Sequence, residues 1–194
     1  DILRKNIQGD KIIHHIFSHQ GMAWLSTGFG MVIVNTDKEE IADTYVIGSS
    51  GQYIATYGVT TDGHYFYAAT AEGVKRGPAR GANLANYRNW APLMQGLEAN
   101  AVQHIIRLQD RLICQQADRL FIWEQDHWQP WYTDGWHINA ISANGQQLLV
   151  CEQQPGTAGA RVISLQPNAA ITAILQNDLI KAPLQAGGQN KTIW

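Results

Sequence analysis

The feature that most constrains the fold of this chain is an internal repeat. Four segments each contain a short apolar strand, a turn and a second apolar strand, and their turn positions follow at nearly even intervals: Gly30, Gly73, Arg119 and Arg161. A period of roughly 40–50 residues is typical of propellers and other repeat arrays. We therefore interpret the chain as a series of equivalent β-sheet units.

Further strands complete each unit. A first strand is predicted before each hairpin at 12–17, 54–59, 102–108 and 138–141, and an outer strand at 41–47 and 127–132. The Asp62-Gly63 and Asn144-Gly145 pairs accept the positive φ that tight hairpin turns demand. The sequence thus predicts an all-β fold: a partial β-propeller of about four blades with four-stranded antiparallel sheets, as a fragment of a larger propeller.

The repeat also predicts where the blades begin and end. Residues 1–194 are expected to form a single propeller fragment, with blades at 11–51, 52–98, 99–136 and 137–178. Residues 1–10 are interpreted as the tail of a preceding blade, and 179–194 as the start of a truncated one. Because a propeller closes on itself to cover its strand edges, we expect a longer natural protein. The alternative is self-association, in which two copies of this piece cover each other's open edges.

Two segments also fit helices. The apolar residues of 102–121 fall on one helical stripe, in a stretch without Gly or Pro. Alignment with the neighbouring repeats favours strands there. Residues 168–181 are a second ambiguous stretch, for which a short helix is an alternative.

Composition narrows the class of function. Hydrophobic residues make up 45% of the chain and charged residues 15%, with a net charge of −2. This balance supports a buried core and lacks the basic surface that nucleic-acid binding requires. Mean hydropathy is −0.24, and no apolar run approaches the ~20 residues that span a bilayer. We expect neither nucleic-acid binding nor a membrane span.

The two cysteines have a structural interpretation. Cys114 and Cys151 align with Ser26 and Ala69 in the repeat, where a small side chain suits inner strands that crowd together. Buried free thiols are therefore favoured. A disulfide remains the alternative, since a bond requires Cα atoms within roughly 7 Å.

The sequence contains no recognisable catalytic or metal-binding pattern. His14, His15 and His19 lie close together, but neighbouring strand residues point to opposite faces and cannot share one ion. The Gly28-Phe29-Gly30 run lacks the third glycine of a dinucleotide loop, and the chain has no GxSxG nucleophile motif. We expect no enzymatic activity, no cofactor and no metal.

Aromatic residues are concentrated in one hairpin. Trp123, Trp128, Trp131 and Trp136 alternate with amide and carboxylate side chains. Flat rings beside such groups hold sugars through apolar contact and directed hydrogen bonds. These four tryptophans are therefore the candidate contacts for a glycan or another partner. The structural alternative, which we favour, is that the rings fill the wedge between outer blade strands.

Four segments resemble a known family. They are 24–32 (WLSTGFGMV), 40–48 (EIADTYVIG), 67–74 (YAATAEGV) and 83–90 (NLANYRNW). In this order they resemble the N-terminal propeller of PorZ-type proteins of the type IX secretion system. The resemblance extends from residue 11 to residue 90, and beyond that only the repeat pattern supports it.

The resemblance implies a large secreted protein with two β-propellers and a C-terminal sorting domain. It implies export across the inner membrane of a Gram-negative bacterium, to the periplasm or the outer face of the outer membrane. The implied partners are proteins of a secretion and attachment complex and an anionic lipopolysaccharide, which such proteins present without catalysis.

Two functions of different classes follow. The leading one is a non-enzymatic scaffold that supports surface attachment of cargo through protein or glycolipid binding. The alternative is the extracytoplasmic sensor propeller of a two-component regulator that binds a glycan ligand. A sorting domain elsewhere in the gene would favour the first, and a membrane span with a kinase would favour the second.

Overall fold

The structure is a computed structural model that describes residues 9–176. Two compact units divide the chain, Asp1–Ile105 and Ile106–Trp194. The predicted blade start at 179–194 and most of the predicted tail at 1–10 lie outside the described residues.

The first unit contains two four-stranded sheets in which strands that follow in sequence are neighbours. The first sheet consists of β1 (Ile13–His19), β2 (Met22–Thr27), β3 (Gly30–Asn35) and β4 (Glu40–Tyr45). The second consists of β5 (Thr56–Thr61), β6 (Tyr65–Thr70), β7 (Gly73–Pro78) and β8 (Ala91–Pro92). A single turn of 3-10 helix, Tyr87–Asn89, precedes β8 and is capped by the Asn86 side chain.

The second unit repeats this arrangement. One sheet consists of β9 (His104–Leu108), β10 (Arg111–Gln116), β11 (Arg119–Glu124) and β12 (His127–Tyr132), with the first two residues of β9 before the division between the units. The other consists of β13 (His137–Asn144), β14 (Gln147–Gln153), β15 (Ala160–Leu165) and β16 (Ile171–Gln176). The predicted fold class, an all-β partial propeller of about four blades with four-stranded antiparallel sheets, is confirmed.

Both helical alternatives are wrong within the described residues. The stretch 102–121 forms β9, β10 and the start of β11, because Gln109 has a φ of 56° and turns the chain where a helix would continue. The second ambiguous stretch contains β16, and its residues 177–181 lie outside the described part of the chain.

Threonine hydroxyls lock the two tight hairpins of the first unit. The Thr27 Oγ1 donates to the Gly30 carbonyl (3.0 Å) and accepts from the Phe29 N–H (3.3 Å). Thr70 does the same, donating to Gly73 O (2.7 Å) and accepting from Glu72 N–H (3.1 Å). Each hydroxyl thereby satisfies backbone groups that the two-residue turn leaves outside the ladder.

Glycine is required at position 30, where the turn between β2 and β3 ends and β3 begins. Gly30 has a φ of 128°, and a β-carbon on it would collide with the Tyr45 carbonyl oxygen of the neighbouring strand. An alanine there would strain the backbone and push β4 away from β3.

Each unit has its own apolar core. In the first unit, the core combines side chains of both sheets, including Trp24, Met31, Ile33, Val59, Phe66 and Trp90. In the second, it includes Leu108, Ile113, Leu120, Val150, Ile163 and Leu165. The predicted strands therefore bury the apolar faces that defined the repeat.

The alignment of the cysteines in the repeat is wrong by one residue. The closing pairs of three hairpins are Thr27–Gly30, Thr70–Gly73 and Gln116–Arg119, and that of the fourth is Gln153–Ala160. Counting back from these pairs, Cys114 and Cys151 match Ala68, whereas Gln115 and Glu152 match Ser26 and Ala69. The sequence left this register open because Ala68 and Ala69 are equally small. Both cysteines are buried and neither forms a disulfide, and burial raises the pKa of Cys114.

Candidate functional site

The four predicted tryptophans do not form one platform. Trp123 on β11 lies opposite Trp128 on β12, and their rings meet edge to face with centroids 5.3 Å apart. Trp128 is only 1% exposed. Trp128 is therefore buried and unavailable to a ligand, whereas Trp123 is half-buried against it.

Trp136 is covered by a cation. The Arg161 guanidinium carbon lies 4.0 Å from the centroid of the Trp136 ring. Arg161 also donates to Glu152 Oε2 at 2.8 Å and forms an ion pair with Asp134. One face of Trp136 is therefore occupied by a side chain that its ion pairs hold in place.

Trp131 is the predicted tryptophan that borders an open depression. Its ring packs on the core of the second unit, and its Nε1 donates to the Pro167 carbonyl at 3.2 Å. These contacts fix the ring orientation and leave part of its surface exposed. The lining of the depression consists of Arg119, Pro130, Trp131, Tyr132, Thr133 and Ala169.

Arg119 supplies a positive charge at this depression. It is the first residue of β11, its side chain is exposed, and within residues 9–176 its guanidinium has no ion-pair partner. A cation beside an aromatic ring and a hydroxyl matches the groups of an acidic sugar. We call this place, with the six lining residues named above, the Trp131 depression.

A buried charged cluster lies in the same unit. Glu152 is 1% exposed, and β14 and β15 place it directly opposite Arg161. Burial raises the pKa of the Glu152 carboxyl to about 7, while the Tyr132 hydroxyl acts in the opposite direction. Burial and the charge of Glu152 together raise the pKa of Tyr132. Arg161 on β15 thus joins Glu152 of β14 to Asp134, in the segment that precedes β13.

Sequence reasoning identified Arg119 and Arg161 only as turn positions and missed Glu152. The signal that could have found the ion pair is the hairpin register, which places residues 152 and 161 opposite each other. The six residues between Gln153 and Ala160 obscured that register, because this loop is longer than the turns of the other hairpins.

The histidines near the start of the chain do not converge. His14 packs against Tyr57, with ring centroids 5.1 Å apart, and burial together with the charge of His104 lowers the pKa of His15. Within residues 9–176, no three His, Cys, Asp or Glu side chains are grouped as metal ligands. No helix in that range is both long and apolar enough to cross a membrane.

Comparison with protein families gives a match to the first part of the chain. Residues 1–91 match the model of the N-terminal β-propeller domain of PorZ, a protein of the type IX secretion system. The predicted resemblance to PorZ-type propellers is confirmed. The four motifs that carried it lie within the matched residues, whereas the Trp131 depression lies beyond them. A search of curated proteins found no match.

Solved structures extend the likeness across the described residues. PorZ of Porphyromonas gingivalis covers 90% of this chain with a TM-score of 0.60 and 13% identity. Kuenenia stuttgartiensis hydrazine synthase covers 89% (TM-score 0.64, 11% identity and 53% of that chain). The extracellular domain of a putative hybrid two-component system from B. thetaiotaomicron also covers 89% (TM-score 0.54, 14% identity and 24% of that chain).

These structural likenesses establish the propeller fold. At such identities they carry neither the chemistry of the enzyme nor the ligand of the sensor. This chain spans 27% of the P. gingivalis PorZ chain that it matches.

Proposed function

We propose that this chain is part of a non-enzymatic, PorZ-like scaffold that supports surface attachment of cargo by holding a glycolipid, an anionic lipopolysaccharide. The match of residues 1–91 to the PorZ propeller supports the scaffold role. The observation that carries glycolipid binding is the Trp131 depression, where an oriented indole ring lies beside an arginine without an ion-pair partner in the described chain.

The chemistry of the depression suits an acidic sugar. The exposed part of the Trp131 ring offers an apolar surface to the C–H face of a pyranose. The Thr133 side chain borders the same space and supplies a hydroxyl. Arg119 adds a charged donor for a carboxylate or phosphate group on the sugar.

The proposed location is the periplasm or the outer face of the outer membrane of a Gram-negative bacterium. The PorZ family match supports it, and so does the likeness to an extracellular sensor domain. There the partners would be protein components of the secretion and attachment complex as well as the lipopolysaccharide.

Titration with anionic lipopolysaccharide fragments tests glycolipid binding. We expect saturable quenching of tryptophan fluorescence and about tenfold weaker binding of the Arg119→Gln variant, because a charge-assisted contact is lost. Trp131→Ala should abolish the quenching, and a near-native circular dichroism spectrum must accompany that result, since the ring also packs on the core.

Arg107→Gln is the matched control for this titration. Arg107 is an exposed arginine of β9, at the opposite edge of the same sheet from β12. Its substitution should leave the affinity for the lipopolysaccharide fragments unchanged. A neutral dextran fragment is the control ligand: because it carries no charge, the Arg119→Gln and Arg107→Gln variants should bind it equally. No quenching at millimolar fragment, or equal losses in both variants, contradicts the proposal.

A sensor propeller of a two-component regulator that binds a glycan is the second candidate. The likeness to the extracellular domain of such a system favours it. The complete gene distinguishes the two: a C-terminal sorting domain supports the scaffold, whereas a membrane span followed by a kinase supports the sensor.

A further inference from the structure

A second depression lies in the first unit, at the end of the β5–β6 hairpin. Its lining comes from the turn and from the end of β7: Gly63, His64, Tyr65, Pro78 and Arg80. Tyr65 is 37% exposed, and no atom lies within 4 Å of the place where a β-carbon on Gly63 would be. We call this place the Tyr65 depression.

Alternation along two paired strands brings its side chains to one face. Tyr65 on β6 lies opposite Pro78 on β7, and Tyr67 lies opposite Arg76. On each strand the two residues are two positions apart. Residues two apart on a strand share a face. The phenol rings, the proline ring and the Arg76 guanidinium are therefore neighbours, and Arg80 follows at the end of β7.

The turn itself is held rigid by one carboxylate. Asp62 Oδ1 accepts from the N–H groups of His64 (2.8 Å) and Tyr65 (2.7 Å). Its Oδ2 accepts from the Tyr67 hydroxyl at 2.8 Å. Although burial opposes it, this set of hydrogen bonds lowers the pKa of Asp62. The carboxylate charge is thus engaged by donors of the turn.

Arginine side chains at the depression are available to a ligand. The Arg76 guanidinium carbon stacks 4.6 Å from the Tyr65 ring centroid, which places this cation next to the lining residue Tyr65. The Arg80 and His64 side chains are exposed, and no ion pair of either is present within residues 9–176. Asp62 is the carboxylate at this turn, and its oxygens already accept three hydrogen bonds.

We propose that the Tyr65 depression binds an oxyanion, a carboxylate or a phosphate, on a ligand that carries a ring or another apolar surface beside the charge. Two arginines offer forked donors that match such groups. Tyr65 and Pro78 supply the apolar contact for the rest of the ligand. This site shares no residue with the Trp131 depression and does not depend on the function proposed for it.

Nuclear magnetic resonance titration of the whole chain tests the site. The probes are inorganic phosphate, phenyl phosphate and benzoate, followed through the Arg side-chain and Tyr ring resonances. We expect saturable binding in roughly the millimolar range. Phenyl phosphate should bind about tenfold more tightly than inorganic phosphate, because its ring adds the apolar contact. Phenyl phosphate and benzoate separate phosphate from carboxylate as the preferred group.

Variants assign the binding to these residues. Arg80→Gln should weaken all three anions about tenfold. Tyr65→Leu should remove the advantage of phenyl phosphate over inorganic phosphate and leave inorganic phosphate bound. The matched control is Arg88→Gln, since Arg88 also stacks on a tyrosine (5.5 Å from the Tyr87 centroid) but does not line the depression.

The results that would contradict anion binding at the Tyr65 depression differ from those that would contradict glycolipid binding at the Trp131 depression. Non-saturable shifts, or an equal effect of Arg88→Gln and Arg80→Gln, overturn the Tyr65 site. Arg119→Gln should not change binding of the three anions, and Arg80→Gln should not change lipopolysaccharide binding if only the Trp131 depression holds it. Failure at one depression therefore leaves the other proposal standing.

Discussion

At the scale of single residues, the most unusual group is a buried carboxyl. Glu152 faces Arg161 across a hairpin and is almost completely shielded from water. Burial disfavours its charged form, while the guanidinium favours it. Pairs of this kind contribute little when intact, but removing one partner leaves an uncompensated charge in the protein interior.

The raised pKa of Glu152 predicts a particular pH dependence of stability. Between its ordinary value of 4.5 and about 7, the folded chain binds more protons at this site than the unfolded chain does. The contribution of Glu152 to the free energy of unfolding therefore falls as pH rises through that window. Urea denaturation at a series of pH values should show a slope that Glu152→Gln removes. A slope that survives the substitution unchanged would contradict the assignment.

Removal of the cation should have a larger effect than removal of the carboxyl. We expect Arg161→Met to reduce the free energy of unfolding by about 3–5 kcal/mol at pH 8, where Glu152 would be left charged and unpaired. The loss should be smaller at pH 5, where the carboxyl can take up a proton. Thermal and urea denaturation at both pH values measure the difference, and an equal loss at both would show that packing on Trp136 dominates.

At the scale of strands and turns, the tight hairpins depend on threonine. Thr70 is fully buried, and its hydroxyl bridges two backbone groups of the β6–β7 turn. Valine preserves the shape of threonine and leaves those groups without a partner. We expect Thr70→Val to cost about 1–3 kcal/mol in urea denaturation.

Thr36→Val is the control for that substitution. Thr36 also donates to a backbone carbonyl, Gly21 O at 2.8 Å, but at an exposed turn where water can replace the hydroxyl. Its cost should stay within about 0.5 kcal/mol. Equal losses in the two variants would mean that burial of the turn does not determine the effect.

Strands could be predicted from this sequence where their side chains are buried. The apolar alternation and the turn glycines located the central hairpins, since those strands form the cores. Two outer strands were missed: β8 has only two residues, and every residue of β16 is exposed. An exposed outer strand receives its conformation from its neighbour, so its own sequence carries little signal.

The candidate site was harder to predict than the strands. Four tryptophans that are close in sequence were predicted to form one site. The strand pairing instead buries Trp128 and places Trp131 at a surface depression. The groups of the Trp131 depression also come from different strands, since Arg119 lies on β11 and Trp131 on β12. Their meeting depends on register across loops, which composition and spacing do not specify.

At the scale of the whole chain, the end strands expose apolar side chains. Ile13 and Ile16 lie on β1, and Ile174 and Leu175 lie on β16, each strand at the edge of its sheet. Unpaired edges with exposed apolar residues favour pairing with another chain. Each of the two strands by itself supports the expected self-association, which stays a prediction.

Light scattering after size-exclusion chromatography measures that association. We expect dimers or larger species whose population rises with concentration, and a shift toward monomer in the Ile174→Lys variant, because a charge at the edge opposes pairing. Tyr53→Lys is the control, since Tyr53 is a similarly exposed ring outside the strands. A monomer at all concentrations would rule out pairing through these edges.

Acidic residues at two hairpin tips accept hydrogen bonds from the backbone outside their own hairpins. Glu72 accepts from the backbone N–H of Ser49 (3.0 Å), and Asp118 accepts from that of Ile138 (3.1 Å). Glu72 thus ties its sheet to the linker before β5, whereas Asp118 ties its sheet to the first strand of the next one, β13. A sheet transplanted into a host propeller should therefore be transferred with the backbone segment that its acidic residue binds, or the host should supply another donor. Otherwise the carboxylate at the hairpin tip loses this hydrogen bond.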